Sequence, residues 1–215
     1  MRIAVLGAAG RTGRLVTDLA LAAGHEVTAV VRDPAKLSAP DAVAPRALRV
    51  ARADVQSPGA LQAAVAGQDV VVAALGTSGR AATTVFSDAA RELTAVPGLR
   101  HVLVMSSAGL DSDHLPLAQR LVTRLVVDRL YREIHRDLAR MEAVLAASDL
   151  PWTVLRVPML KDGPAAPAPV TAYDRPLPRA GTATRTTVAT WLVTHLADPA
   201  TLHHRIAIAD GGAGD

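Results

Sequence analysis

The chain predicts a doubly wound α/β fold, a parallel sheet with helices on both faces, and three observations carry that prediction. Short apolar runs of strand character alternate with helical segments along the length. The first run, Ile3-Ala4-Val5-Leu6, feeds directly into glycines spaced G-x-x-G-x-x-G (Gly7, Gly10, Gly13) and then into a helical pattern. A later run, residues 69–75 with Val70, Val71 and Val72, is continuously apolar, as a central strand buried on both faces reads.

The 215 residues fit one domain spanning 1–215, and with 50% hydrophobic residues they can fill a core. Aromatic side chains are confined to Phe86, Tyr131, Trp152, Tyr173 and Trp191, so that core must be mainly Ala, Val and Leu. The net charge of +3 rests on arginine, with Lys36 and Lys161 the only lysines and no basic tail. Nucleic acid is therefore not the expected partner. Cysteine is absent, which excludes disulfides, thiolate metal sites and cysteine catalysis. The amino terminus reads as a strand rather than a signal peptide, and no run reaches the ~18 apolar residues of a membrane span. The expectation is a soluble, cytoplasmic monomer or small homo-oligomer that acts on a small molecule, with no membrane partner and no metal.

Residues 1–6 predict the first strand and 11–23 the first helix, stopped by Gly24. Gly7 permits a sharp turn, Gly10 a close approach of backbone to a pyrophosphate, and Gly13 tight packing of helix on strand. The helix N-terminus offers free N–H groups to phosphate. The second strand, 26–31, ends at Arg32-Asp33-Pro34. An acidic residue directly after this strand would bond the ribose 2′-hydroxyl of NAD, whereas an arginine pairs with the 2′-phosphate of NADP. Arg32 holds that position, and Asp33 is free to cap the next turn.

Residues 47–53 predict strand three, followed by Asp54-Val55; Asp54 is placed equally well to reach an adenine amino group or to cap a helix over 58–66 that Gly67 stops. The central strand ends in Gly76-Thr77-Ser78-Gly79, where glycine lets a ribose or nicotinamide come close. A helix over 83–95 stops at Pro97-Gly98, and a strand over 101–105 ends in Ser106-Ser107-Ala108-Gly109. In an open parallel sheet ligands bind at the carboxyl ends of strands, so Gly7, Arg32, Asp54, Gly76 and Ser107 point to one rim.

Residues 115–147 predict helix, with Arg120, Arg124, Arg132, Arg136 and Arg140 on one stripe. Asp128 shares that stripe and Glu133 and Asp137 lie beside it, so a solvated, ion-paired face is preferred over an anion or membrane surface. Residues 152–157 predict strand six, ending at Pro158-Met159. The Pro- and Ala-rich stretch 162–180 cannot be regular helix and is expected as a substrate-side loop on the ligand rim. A helix over 188–196, a strand over 205–209 and a frayed tail over 210–215 complete the chain.

The glycine turn, Val31-Arg32-Asp33, Ala66-Gly67-Gln68-Asp69, Leu75-Gly76-Thr77, Met105-Ser106-Ser107-Ala108 and Trp152-Thr153-Val154-Leu155-Arg156 together carry a resemblance. Over nearly its whole length the chain resembles the atypical short-chain dehydrogenase/reductase family, in the NAD(P)H-binding branch that includes biliverdin IXβ reductase, also called flavin reductase. The resemblance implies a Rossmann-like fold and a preference for NADP(H) over NAD(H). It further implies that Gly7, Gly10, Arg11, Thr12 and Gly13 hold the pyrophosphate and Arg32 the 2′-phosphate. Asp54 and Val55 would contact adenine. Leu75 and Gly76 would lie under the nicotinamide ribose, Pro158 would form part of the nicotinamide wall, and Thr77 and Ser106 would also bind the cofactor. Ser107 matches the catalytic serine beside nicotinamide and substrate.

The sequence departs from the family's Tyr-x-x-x-Lys signature. Its nearest match is Tyr131-Arg132-Glu133-Ile134-His135, with histidine in place of lysine, and this pair reads as packing and surface in preference to a distorted triad. Met159 stands where the biliverdin reductase branch has a histidine, so the tetrapyrrole substrate does not carry over. The expected activity is hydride transfer from NADPH to a small planar acceptor such as a flavin or quinone. A non-catalytic NADP(H)-binding sensor, or an isomerase or epimerase on the same fold, are the alternatives.

Overall fold

A computed structural model describes residues 1–37, 47–77, 79, 81–110, 128–178 and 181–211. Its elements are β1 (Arg2–Leu6), α1 (Arg11–Ala22), β2 (Glu26–Val31), β3 (Leu48–Arg52), α2 (Ala60–Val65), β4 (Val70–Ala73), α3 (Val85–Thr94) and β5 (His101–Ser107). They continue with α4 (Asp128–Ala146), β6 (Trp152–Val157), β7 (Met159–Lys161), β8 (Val170–Tyr173), β9 (Thr182–Thr184), α5 (Arg185–Thr194) and β10 (His204–Ala209).

Eight strands form one sheet in the order β3-β2-β1-β4-β5-β6-β10-β8. The chain runs outward from β1 to β3, then crosses back to β4 on the other side of β1. That reversal opens a crevice above the carboxyl ends of β1 and β4, the switch point at which open α/β sheets bind ligands. Alternate residues of each strand serve opposite faces. Ile3 and Val5 pack with Val16 and Ala20 of α1 and with Val188 and Leu192 of α5. Ala4 and Leu6 join Leu61 of α2, Leu93 of α3 and Leu145 of α4. Burial on both faces explains why β1 and β4 read as unbroken apolar runs.

α4 is fastened to α3 by a buried carboxylate. Asp137, fully enclosed, accepts from the Phe86 backbone N–H at 2.9 Å. Phe86 sits in the first turn of α3, where N–H groups have no intrahelical partner, so a neighbouring helix supplies the acceptor. Two arginines of the basic stripe are ion-paired on α4, Arg136 to Glu133 at 2.8 Å and Arg140 to Asp137 at 3.2 Å. Arg120 and Arg124, the helix expected over 115–127, and the tail beyond 211 lie outside the described residues.

Several sequence expectations are corrected. The sheet is parallel except for β8, which pairs antiparallel with β10. β8 falls inside 162–180, where a loop was expected, and β7 and β9 pair with each other in a small parallel sheet at either end of that stretch. Pro169 and Pro176 flank β8 rather than interrupt it, so an edge strand tolerates them. α2 begins at Ala60 rather than at residue 58. Its N-cap is Gly59, with φ +76°, whose N–H donates to the Glu92 carboxylate at 2.9 and 3.1 Å. Asp54 caps no helix; its Oδ1 accepts from Gln56 N–H at 3.1 Å in a local turn. α5 begins at Arg185, three residues earlier than expected, because the Thr184 hydroxyl caps it by accepting from Thr187 N–H at 3.1 Å.

Candidate functional site

The site is built on close backbone approaches around β1. Gly7 has φ +75°, and a Cβ there would lie 2.6 Å from the Ala74 carbonyl oxygen. The turn after β1 therefore presses directly on the end of β4. A Cβ on Gly13 would lie 2.2 Å from the Gly7 carbonyl oxygen, and one on Gly10 would lie 3.1 Å from the same atom. Gly10 N–H also donates to Gly7 O at 2.8 Å. Gly10 is the N-cap of α1 and brings no side chain to its first turn, which leaves the N–H groups there facing the crevice mouth.

A cleft of about 940 Å³ opens above this turn. Of the residues expected on the cofactor, Gly7, Gly10, Arg11, Thr12, Arg32, Asp54, Val55, Leu75, Gly76 and Thr77 all line it. Four expected site residues do not. Gly13 lies beneath the turn, where its lack of a Cβ lets α1 sit on the Gly7 carbonyl. Ser106 faces away: its hydroxyl is buried and donates to Glu142 Oε1 at 2.7 Å. Glu142 also accepts from Arg156 (Nε 3.1 Å, Nη2 2.7 Å) and from Arg205 Nε at 3.0 Å, so Ser106 belongs to an internal charge network behind β5. The strand continues through Ser106 and Ser107, and its pleat directs the first of them into the α4 side. Pro158 lies just before β7 and leaves the lining at that end to Leu160. Ser107 stands one strand over from the β4 wall. It follows Met105 by two positions on β5, so the pleat turns both toward the same face of the sheet, and Met105 lines the cleft.

Three cations line the cleft that sequence reasoning missed or left unassigned in this role: Lys36, Arg11 as an ion-pair partner, and Arg185. Arg32 and Lys36 flank Asp33, whose Oδ1 is turned into the backbone and accepts from Ala35 N–H at 3.1 Å. Among the described residues Arg32 has no carboxylate partner. Arg11 and Arg185 open α1 and α5, and both pair with Asp162, Arg185 at 2.8 Å. This bridge ties the start of the Pro-rich stretch to the glycine-turn end of the cleft. No local motif marks Arg185; only the fold brings it to Arg11.

The Tyr131–His135 segment lies against the end of β5. His135 Nε2 lies 3.2 Å from Ser107 Oγ, which also accepts from Gly109 N–H at 3.1 Å. The Tyr131 ring lies roughly parallel to that of His135, 6.3 Å away. Tyr131 is exposed, as a surface residue reads, while His135 also makes a polar contact to Ser107 that the sequence does not signal.

The glycine turn, the helix N-terminus above it and the cationic lining fit a pyrophosphate-bridged dinucleotide, and a Cβ at Gly7, Gly10 or Gly13 would press on backbone and distort the turn. A switch-point cleft with this turn defines a Rossmann-type dinucleotide-binding protein. The chain belongs to the NAD(P)H-binding family, whose model matches residues 7–199. The solved structure of a short-chain dehydrogenase/reductase from Veillonella parvula in complex with NADP is similar at 23% identity, with a TM-score of 0.79 over 98% of this chain and 95% of that one. The anaerobilin reductase ChuY from Escherichia coli O157:H7 is similar at 19% identity, with a TM-score of 0.76 and full coverage of both chains. The oxidoreductase ylbE from Lactococcus lactis has a TM-score of 0.80 at 15% identity, over 98% of this chain and 91% of that one. These likenesses establish the fold that the sequence resemblance implied. Among the described residues there is no helix long and apolar enough to cross a membrane and no cluster of potential metal ligands.

Proposed function

We propose that this protein is an NADPH-dependent reductase that delivers hydride to a small planar acceptor such as a flavin or a quinone. The observation that carries the reading is the continuous lining from the glycine turn to Arg32 and Lys36 on one side and to Leu75, Gly76 and Thr77 on the other. There the α1 N-terminus would hold the pyrophosphate, and Arg32 and Lys36 would hold the 2′-phosphate. Bound NADPH supplies the hydride. The protein supplies position: stacking acceptor and nicotinamide face to face needs orientation more than acid catalysis. Ser107 orients the acceptor or the carboxamide. The NADP complex and the reductase activity named for the structural neighbours support the same reading.

The test is calorimetric titration with NADPH and NADH, then multiple-turnover NADPH oxidation with a panel of flavins and quinones. Binding of NADPH over NADH with turnover of at least one acceptor is the expected result. Ser107→Ala should lower turnover with NADPH affinity unchanged. Tight binding without turnover of any acceptor would favour a non-catalytic NADP(H) sensor, and binding of neither nucleotide would overturn the assignment.

A further inference from the structure

We propose that His135 holds and reprotonates the Ser107 hydroxyl, so that Ser107 and His135 together form the proton-delivery pair of the reduction. The inference rests on the reductase reading above and assigns the source of the proton, which that reading does not specify.

The geometry is specific. Gly109 N–H donates to Ser107 Oγ at 3.1 Å and fixes one lone pair of the hydroxyl. One lone pair and the hydroxyl proton remain, and His135 Nε2 stands 3.2 Å away to engage either. A neutral Nε2 accepts the Ser107 proton. A protonated one donates to the oxygen and leaves the hydroxyl proton free to turn toward an acceptor. The imidazole fills the space a side chain at 109 would need: a Cβ on Gly109 would lie 2.9 Å from His135 Cε1 and 3.2 Å from Ser107 Oγ. The loop after β5 thus provides both the amide that orients the serine and the gap that seats the ring. Tyr131, one turn earlier on α4, is a titratable neighbour of that ring among the described residues. His135 is only half-buried, so water can reach it. Ser107 ends β5 on the same face as Met105, which lines the cleft.

The step balances. The acceptor takes up a hydride, with its electron pair, from NADPH, which is oxidised to NADP⁺, and the acceptor becomes an anion. That anion takes the Ser107 hydroxyl proton. The Ser107 O–H bond is remade with the Nε2 proton of the His135 imidazolium, and the neutral imidazole regains a proton from water. Ser107 is the group that touches the acceptor, and His135 acts through it. A quinone suits the pair, because its reduction leaves an oxyanion that needs one proton.

The experiment uses the whole chain and three variants, His135→Gln, His135→Ala and Ser107→Ala, with a naphthoquinone acceptor. NADPH affinity by calorimetry should be unchanged in all three, which shows that they fold and bind. His135→Gln should lower kcat by about a hundredfold, the lower end of the range for positioned proton transfer, with KM for the quinone little changed. Added imidazole should restore kcat in His135→Ala and not in Ser107→Ala. In the nucleotide-free protein, Ser107→Ala should shift the His135 Nε2 nitrogen resonance, a readout that needs no turnover. A wild-type kcat in His135→Gln, or a reduced kcat that imidazole does not rescue together with an unshifted Nε2 resonance, overturns the pair and leaves the reductase reading standing. Wild-type protein that binds NADPH but reduces no acceptor overturns the reductase reading, and the pair falls with it.

Discussion

Gly13 rests on the carbonyl of Gly7 so closely that a single added carbon would fall 2.2 Å from the oxygen. The atom in the way is backbone, so neither a rotamer change nor a small side-chain shift relieves the contact. Gly13→Ala should therefore push α1 off β1 and cost at least the ~1–3 kcal/mol of an overpacked core. Loss of NADPH binding should accompany a lowered thermal midpoint. Gly24→Ala is the control: it has positive φ but no heavy atom within 4 Å of its added carbon, so it should cost ~1 kcal/mol and spare binding.

Arg32 lines the cleft with no acidic partner among the described residues. Arg32→Asp should turn the preference from NADPH toward NADH by about 1–3 kcal/mol, through loss of a charge-assisted bond and gain of a carboxylate near the ribose. Comparative calorimetry measures it. An unchanged ratio would assign the 2′-phosphate to Lys36.

Asp162 holds Arg11 and Arg185 together at the phosphate end of the cleft. A dinucleotide must share those guanidiniums with the carboxylate. Asp162→Asn should tighten NADPH binding by a few-fold, in line with the ~0.2–1 kcal/mol of exposed ion pairs, and the gain should shrink as salt rises. Weaker binding in the variant would mean that the bridge orders the cleft rather than competing for it.

Glu142 gathers Ser106, Arg156 and Arg205 while itself only 4% exposed. Glu142→Gln leaves two guanidiniums facing a neutral amide and should cost about 3 kcal/mol in urea unfolding. Ser106→Ala removes one donor from a carboxylate with other partners and should cost only about 1–2 kcal/mol, without altering cofactor affinity.

His101 is buried beneath α5, its Nδ1 3.1 Å from Leu196 O and its Nε2 2.7 Å from Thr153 Oγ1. Burial lowers its pKa, and His203 adds to that, while the Leu196 carbonyl and Asp198 pull the other way. The unfolded chain takes up a proton near the ordinary 6.5, and the folded chain does so only at lower pH. Below about pH 6.5 the unfolded state therefore binds more protons, and stability falls with acid by at most ~1.4 kcal/mol per pH unit from this residue. His101→Gln should flatten that part of the stability–pH curve measured by chemical denaturation.

Legibility in the sequence followed the range of the interaction. Gly7, Gly10 and Gly13, the apolar β4 run and Arg32 after β2 are local patterns, and each falls where its spacing put it. β7, β8 and β9 have only three or four residues apiece among prolines, too few for a period to show, and their pairing is decided by β10 and by one another. Ser106 was placed on the wrong side of β5 because two adjacent serines look alike until the pleat assigns their faces. Arg11–Asp162 and Ser107–His135 join residues 151 and 28 positions apart, and only the assembled sheet brings them within reach.

The Asp137–Phe86 bond gives one amide an allegiance its place in the chain does not suggest. Phe86 belongs to α3 by sequence, but its N–H is satisfied from α4, and Arg140 of α4 also donates to the Thr83 carbonyl at 3.1 Å. Thr83 and Val85 line the cleft. Isotope exchange at the Phe86 amide would accordingly record the lifting of α4 rather than the unwinding of α3. That wall of the crevice is hydrogen-bonded to a helix that, among the described residues, contributes no side chain to its lining.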